Sequence, residues 1–173
     1  MKKIVSLLII LALFTSCEEE ISSNTPAFQA RKDNFMWRAQ DYTANYNPLD
    51  STLVMTAYNG LEIVELSAYP VIITGTGTAT FFENAIFELG NDENSNAFYS
   101  FADRGVNYEF ETGIADVPNG EIVLENTVNQ KPGTISGKFR FDAPYIGAIP
   151  DAPERINFQN GIFYEIPITI GVN

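Results

Sequence analysis

The chain has 173 residues, with 10 Lys or Arg, 22 Asp or Glu, one Cys and no His, for a formal charge of -12. Without histidine there is no Ser-His-Asp or Cys-His pair, no His-ligated zinc and no imidazole to carry protons near neutral pH, and a single Cys forms no disulfide within the chain. The negative charge repels phosphate, which excludes nucleic acid and an anionic membrane surface as charge-driven partners.

The length fits one globular domain, and an aromatic fraction of 13%, mostly Phe and Tyr, favours strands. Residues 1–16 read as a secretory signal peptide, with Lys2 and Lys3, an apolar run from Ile4 to Phe14, and the small residues Thr15 and Ser16. The run is shorter than the roughly 20 residues of a spanning helix. Its end, LFTSC, resembles the lipobox of bacterial lipoproteins, with Phe14 where Leu is usual. That resemblance implies cleavage between Ser16 and Cys17 and acylation of Cys17 by diacylglycerol and palmitate-type chains, each buried methylene contributing about 0.8 kcal/mol. The expected address is the outer membrane, with lipid as the membrane partner. Loss of Lys2 and Lys3 leaves 8 basic residues against 22 acidic ones, a mature charge of -14, so anchoring of this kind does not draw on charge. Residues 17–26 are a polar tether of at most about 30 Å when extended. Its Glu18-Glu19-Glu20 resembles the surface-export signal of Bacteroidota lipoproteins. A solvated spacer is the alternative, so cell surface and periplasmic face both stay open, with the surface favoured.

Residues 27–173 read as a single all-β domain. Phe28 and Ala30, then Lys32-Asp33-Asn34, then Phe35, Trp37 and Ala39 predict a hairpin with a polar turn. Further strands are expected over Leu53 to Asn59, Leu61 to Tyr69, Val71 to Thr74, Thr78 to Phe82, Ala85 to Leu89, Ala97 to Phe101, Val106 to Glu111, Glu121 to Asn126, Thr134 to Asp142 and Gly161 to Ile170. In the segment from Thr134, residues Ile135, Gly137, Phe139 and Phe141 form an inner face against Thr134, Ser136, Lys138 and Arg140 outside. In GIFYEIPITI, Ile162, Tyr164, Ile166 and Ile168 alternate, and Pro167 places that segment at an edge or a bulge. Short strands with irregular Gly and Pro punctuation point to an antiparallel β-sandwich, with a closed, lipocalin-like β-barrel as the alternative.

AFQARKDNFMWRAQ, GTISGKFRFDA and INFQNGIFYEIPI, in that order after a lipoprotein signal, resemble a family of uncharacterised Bacteroidota lipoproteins, the domain of unknown function 6252. The resemblance rests on Phe28, Ala30, Asp33 and Trp37, on Ser136, Gly137, Phe139 and Phe141, and on Asn160, Gly161 and Phe163. These are turn and core residues. It implies a β domain on a lipid anchor and supplies no catalytic residue.

Several clusters are candidate sites. Asp92, Asn94 and Asn96 present oxygens at alternate positions, with Asp103 at the twelfth, a spacing that suits calcium; Ala97 stands where the loop needs Gly, which favours a polar hairpin loop. Glu109 and Glu111 share a strand face about 7 Å apart, in the range used by inverting glycoside hydrolases, although neighbours on one strand do not flank a substrate from two sides. Trp37 alternates with Phe35 and Ala39 and is expected in the core, whereas Tyr42 and Tyr46, in the expected loop DYTANYNP, are candidates for ligand contact. Asp50-Ser51-Thr52 resembles the short O-glycosylation motif of Bacteroidota, with Ser51 as acceptor. GTGTAT at Gly75 to Thr80 lacks the Lys and helix of a phosphate loop. The expectation is therefore a non-enzymatic binding or assembly domain with a glycan or protein partner and no cofactor. The rivals are a carrier of a small apolar ligand in a β-barrel and a carboxylate glycosidase.

Overall fold

A computed structural model describes residues 27–75, 81–90, 95–113, 119–126 and 130–171. Among them there is no helix; 69% of the structure is strand, in a strongly curled sheet. The order is β1 Ala27–Lys32, β2 Phe35–Arg38, β3 Asp41–Asn47, β4 Thr52–Asn59, β5 Glu62–Ala68, β6 Ile73–Thr74, β7 Phe81–Phe82, β8 Ala85–Leu89, β9 Asn96–Asp103, β10 Val106–Glu111, β11 Gly120–Leu124, β12 Thr134–Pro144 and β13 Arg155–Ile170. The principal sheet runs β10-β9-β5-β4-β3-β13-β12-β11-β8, with β1 on β13 and β2 on β1.

Local chemistry sets the hairpins. Asp33 and Asn34 both take positive φ, 48° and 71°, the pattern of a two-residue turn whose twist matches the flanking strands, and Lys32 pairs with Phe35 across it. Arg104 and Gly105 repeat the device between β9 and β10, with φ of 50° and 80°.

β13 organises the fold. It is not the edge strand that Pro167 could have signalled: β12 and β1 pair with its first part, and Ile168 to Ile170 run parallel to β3. It serves all three because it is bulged twice. Against β12, Phe141 and Phe139 face Phe158 and Gly161, and Gly137 and Ile135 face Phe163 and Ile166, so an extra residue enters at each step. Asn160 and Glu165, both at φ 50°, occupy those steps. Each bulge inverts the inside–outside alternation and sharpens the strand's coil. The inner residues are consequently Phe158, Phe163 and Ile166, all buried. Ile162 and Tyr164, expected inside, are half-buried on the other side.

Facing β13, the inner face expected for β12 is found: Ile135, Phe139 and Phe141 are buried, and Lys138 and Arg140 are exposed. Thr134 and Ser136, expected outside, are buried too, because the Glu165 bulge of β13 covers that end of the strand and Glu165 N donates to Ser136 Oγ. Two glycines permit close aromatic packing. Phe163 lies over Gly137 and Phe139 over Gly161, so a Cβ would sit 2.5 Å and 2.6 Å from the respective rings. Phe28 from β1, Phe139 and Phe141 from β12 and Phe158 from β13 form the centre of the core, joined to Tyr99 of β9 by Phe158 at 5.2 Å between centroids.

Beside the principal hairpins, the expected loop from Asp41 is strand β3, its backbone groups taken up by β4 and the end of β13. At the far end of the sheet, β10 is capped. Phe110 forms a bridge with Tyr145, and Ile146 N donates to Glu109 O at 2.9 Å.

Candidate functional site

The densest polar constellation lies under the β1–β2 hairpin, where strands distant in sequence converge. Lys32, the last residue of β1, forms an ion pair with Glu62, the first residue of β5. Lys32 Nζ also donates to Tyr99 Oη of β9 at 2.9 Å and stands 5.1 Å from the centre of that ring. Glu62 accepts from four sides: Lys32, Tyr99 Oη at 2.8 Å, Trp37 Nε1 of β2 at 2.5 Å and Asn59 Nδ2 at 3.4 Å. Burial pushes the Glu62 carboxyl up, but the hydrogen bonds from Lys32 and Tyr99, the Lys32 charge and the Trp37 indole outweigh it and hold the group below 4.5. Tyr99 moves upward, first through burial and then through its bond to the Glu62 carboxylate, so its phenol stays protonated.

A carboxylate held ionised with its oxygens occupied, beside a phenol held neutral, is a fastening and not a proton-transfer pair. It pulls Trp37 inward, where the indole meets Phe28 and Phe158 edge-on at 6.2 and 5.8 Å. Trp37 is thus in the core, as its alternation predicts. Phe35 departs from that expectation: it is 78% exposed, and Met36 beside it is 61% exposed, because the hairpin tip projects past the core that receives Trp37.

A second constellation marks the Glu165 bulge. Ser136 Oγ accepts from Glu165 N at 2.9 Å, and the nearly buried Glu165 carboxylate takes Lys131 Nζ at 2.5 Å. That hydrogen bond raises the Lys131 pKa. Gln130 donates to Thr134 O at 2.6 Å, and its own buried side-chain oxygen has no partner among the described residues. A cleft of about 290 Å³ opens between β11, β12 and β13, lined by Asn119, Arg140, Asp142, Asn157, Gln159 and Asn160. Its charges are taken: Arg140 Nε donates to Glu121 at 2.9 Å, and Asp142 pairs with Arg155.

The residues singled out by sequence are scattered. Tyr46, expected on a surface loop, is buried in β3; its Oη donates to Val71 O at 3.1 Å and its ring meets Phe82 edge-on at 5.9 Å. It offers no surface contact, because strand pairing turns it inward. Tyr42 is half-buried against the core. Ser51 lies in the β3–β4 turn at φ 59°, where Asp50 Oδ1 accepts from Thr52 N at 3.0 Å. Glu109 and Glu111 flank buried Phe110 on β10, and Glu111 accepts from Asn96 Nδ2 at 3.3 Å. Asn96 is therefore in strand β9, while Asp92 and Asn94 lie outside the described residues, as do Ser16, Cys17 and residues 76–80. Among the described residues no three His, Cys, Asp or Glu gather as a metal group would require. The Lys32–Glu62–Tyr99 network was not anticipated, since its members are 30 and 67 residues from Lys32 in sequence.

A family model described as a domain of unknown function (DUF6252) matches residues 24–167. The chain belongs to this family. The matched span begins before β1 and ends at Pro167 within β13, so it includes the hairpin, its fastening and both bulges of the DUF6252 domain. No curated protein and no solved structure matches the chain.

Proposed function

We propose that this DUF6252 domain is a lipid-anchored binding module of the outer membrane, without catalytic chemistry of its own, that presents a surface to a protein or glycan partner. The observation that carries the anchor is the sequence LFTSC after an apolar run, with Cys17 as its acylation site. The fold agrees with a distal binding surface. β1 starts at Ala27 and ends at the Asp33–Asn34 turn, so the hairpin tip lies about 20 Å along the strand from Ala27, where the described chain begins. Binding is favoured over catalysis because the titratable cluster is satisfied by its own members.

For architecture we favour a sandwich with a filled interior over a barrel enclosing a ligand. Rings from the two sides meet directly, Phe158 of β13 being 5.2 Å from Tyr99 of β9 and Tyr145, just after β12, 5.4 Å from Phe110 of β10. The cleft between β11, β12 and β13 sets Asn119, Arg140, Asp142 and Asn157 beside Phe141 and Phe158, a mixed lining that does not suit a wholly apolar cargo.

Metabolic labelling with a palmitate analogue should mark the wild-type chain and not Cys17→Ser. Label retained by the mutant would refute the anchor. Protease treatment of intact cells separates the two faces of the outer membrane: cleavage places the domain on the cell surface, and protection places it in the periplasm.

A further inference from the structure

We propose that the open edge of β2 is a docking strip for an extended acidic segment of a partner protein, which adds itself as a strand beside β2. This names the partner class for the binding function above and rests on that reading.

Among the described residues β2 is paired on one side only, by β1. The two-residue turn makes Lys32 and Phe35 a hydrogen-bonded pair, and alternation makes Ala30 and Trp37 the next. Ala39 N, donating to Phe28 O at 2.9 Å, continues that rhythm. Arg31–Met36 and Gln29–Arg38 are therefore the non-bonded pairs, and the backbone N–H and C=O of Met36 and Arg38 point away from β1. Nothing among the described residues bonds to them. The side chains beside these open groups are apolar and cationic. Arg31, Met36 and Arg38 share the outer face of the hairpin, because paired and alternate positions point the same way, and exposed Phe35 sits at its tip.

The charge here runs against the rest of the molecule. Lys32, Lys131, Lys138, Arg140 and Arg155 are in ion pairs with carboxylates. Arg31, Arg38 and Arg104 have no such partner among the described residues, and two of them flank Met36. The neighbouring carboxylates face elsewhere: Asp33 Oδ1 accepts from Asn157 N at 3.0 Å and Asp41 Oδ1 from Tyr42 N at 2.8 Å. An extended segment alternating acidic and apolar residues would meet the open backbone groups, Met36 and both arginines together. Lipid would not, since hydrocarbon leaves the edge N–H groups unbonded. A second copy joined β2 to β2 would bring two more arginines and no carboxylate for any of them.

The test uses the full chain in detergent micelles and fluorescent nine-residue peptides alternating Glu with Val, alternating Lys with Val, or carrying N-methyl groups at alternate positions of the Glu peptide. Saturable binding of the Glu peptide is expected, at least about tenfold tighter than the other two. Met36→Pro removes only an outward N–H and should abolish binding. The double variant Arg31→Glu, Arg38→Glu should reverse the preference toward the Lys peptide, and it carries the test should the proline variant melt early. Equal binding of all peptides, no saturable binding, wild-type binding by both variants, capture by anionic vesicles in place of peptide, or a β2-dependent dimer would each overturn the proposal. Cys17→Ser should leave docking unchanged, so failure of the anchor and failure of the docking strip are told apart.

Discussion

β10 and β2 both end a run of paired strands, yet the fold treats them oppositely. Beyond β10 the segment after β12 closes the edge, with Phe110 bridged to Tyr145 and Ile146 N bonded to Glu109 O at 2.9 Å. Beyond β2 no described strand follows, and the side chains there are exposed Phe35 and Met36. An uncovered edge with apolar side chains invites unwanted pairing, and chains usually blunt it. Here a long connection covers one edge while the other, among the described residues, is open, short and flanked by arginine. The difference separates what holds the domain together from what it offers outward.

The largest way to break this comparison is at the covered end. Phe110 is fully buried and packs on Tyr145, Tyr99 and Phe101 at 5.4, 5.8 and 6.2 Å. Phe110→Ala should cost about 3–5 kcal/mol in urea unfolding, because it removes a ring and leaves a cavity behind. It should also release the 146–154 connection, exposing the β10 edge and promoting aggregation. A loss under about 1 kcal/mol would mean that the covering segment is not coupled to the core.

A smaller effect sits on the inner side of the open end, where Glu62 fastens the hairpin. Its folded pKa lies below 4.5, so the native state favours the carboxylate. The stability this supplies is complete above the unfolded value and drains away as pH falls through the lower folded one. Glu62→Gln should therefore melt earlier than wild type near neutral pH, with the gap in Tm narrowing as pH falls through the ordinary carboxylate range and below it. A gap that stays constant with pH would assign the loss to packing and not to charge.

Much of the strand plan was legible in the sequence, because it is written in local signals. Asp33-Asn34 tolerates the two positive φ values that a tight hairpin needs, and the Ile135 to Phe141 alternation marks one buried face. β13 misled for the same reason. A period of two extended through Asn160 and Glu165 predicts Ile162 and Tyr164 inside, but each bulge shifts the phase by one residue and brings in Phe163 instead. The polar composition of Asp41 to Asn47 resembles a loop, and only pairing with β4 and with the end of β13 makes it a strand that buries Tyr46. The Glu62 network had no local signature at all, since its partners come from β1, β2, β4 and β9. The open edge was invisible for a related reason: strand propensity does not say which strand lacks a neighbour.

The smallest expected effect is the most informative about that edge. Phe35 and Met36 are large apolar residues, and their replacement in a core would be costly. At 78% and 61% exposure, however, they bury little in the folded domain, and Phe35→Ser or Met36→Ser should change unfolding free energy by no more than about 0.5 kcal/mol. A loss of about 2 kcal/mol or more in urea unfolding would show that the two side chains are covered within the domain, and the contrast with Phe110 would collapse. If stability is unchanged, the apolar surface at β2 does not hold the domain together. Selection for foldability then does not account for Phe35 and Met36, which is the condition that the docking strip proposed at β2 has to meet, since a strip that also held the domain together could not be separated from it.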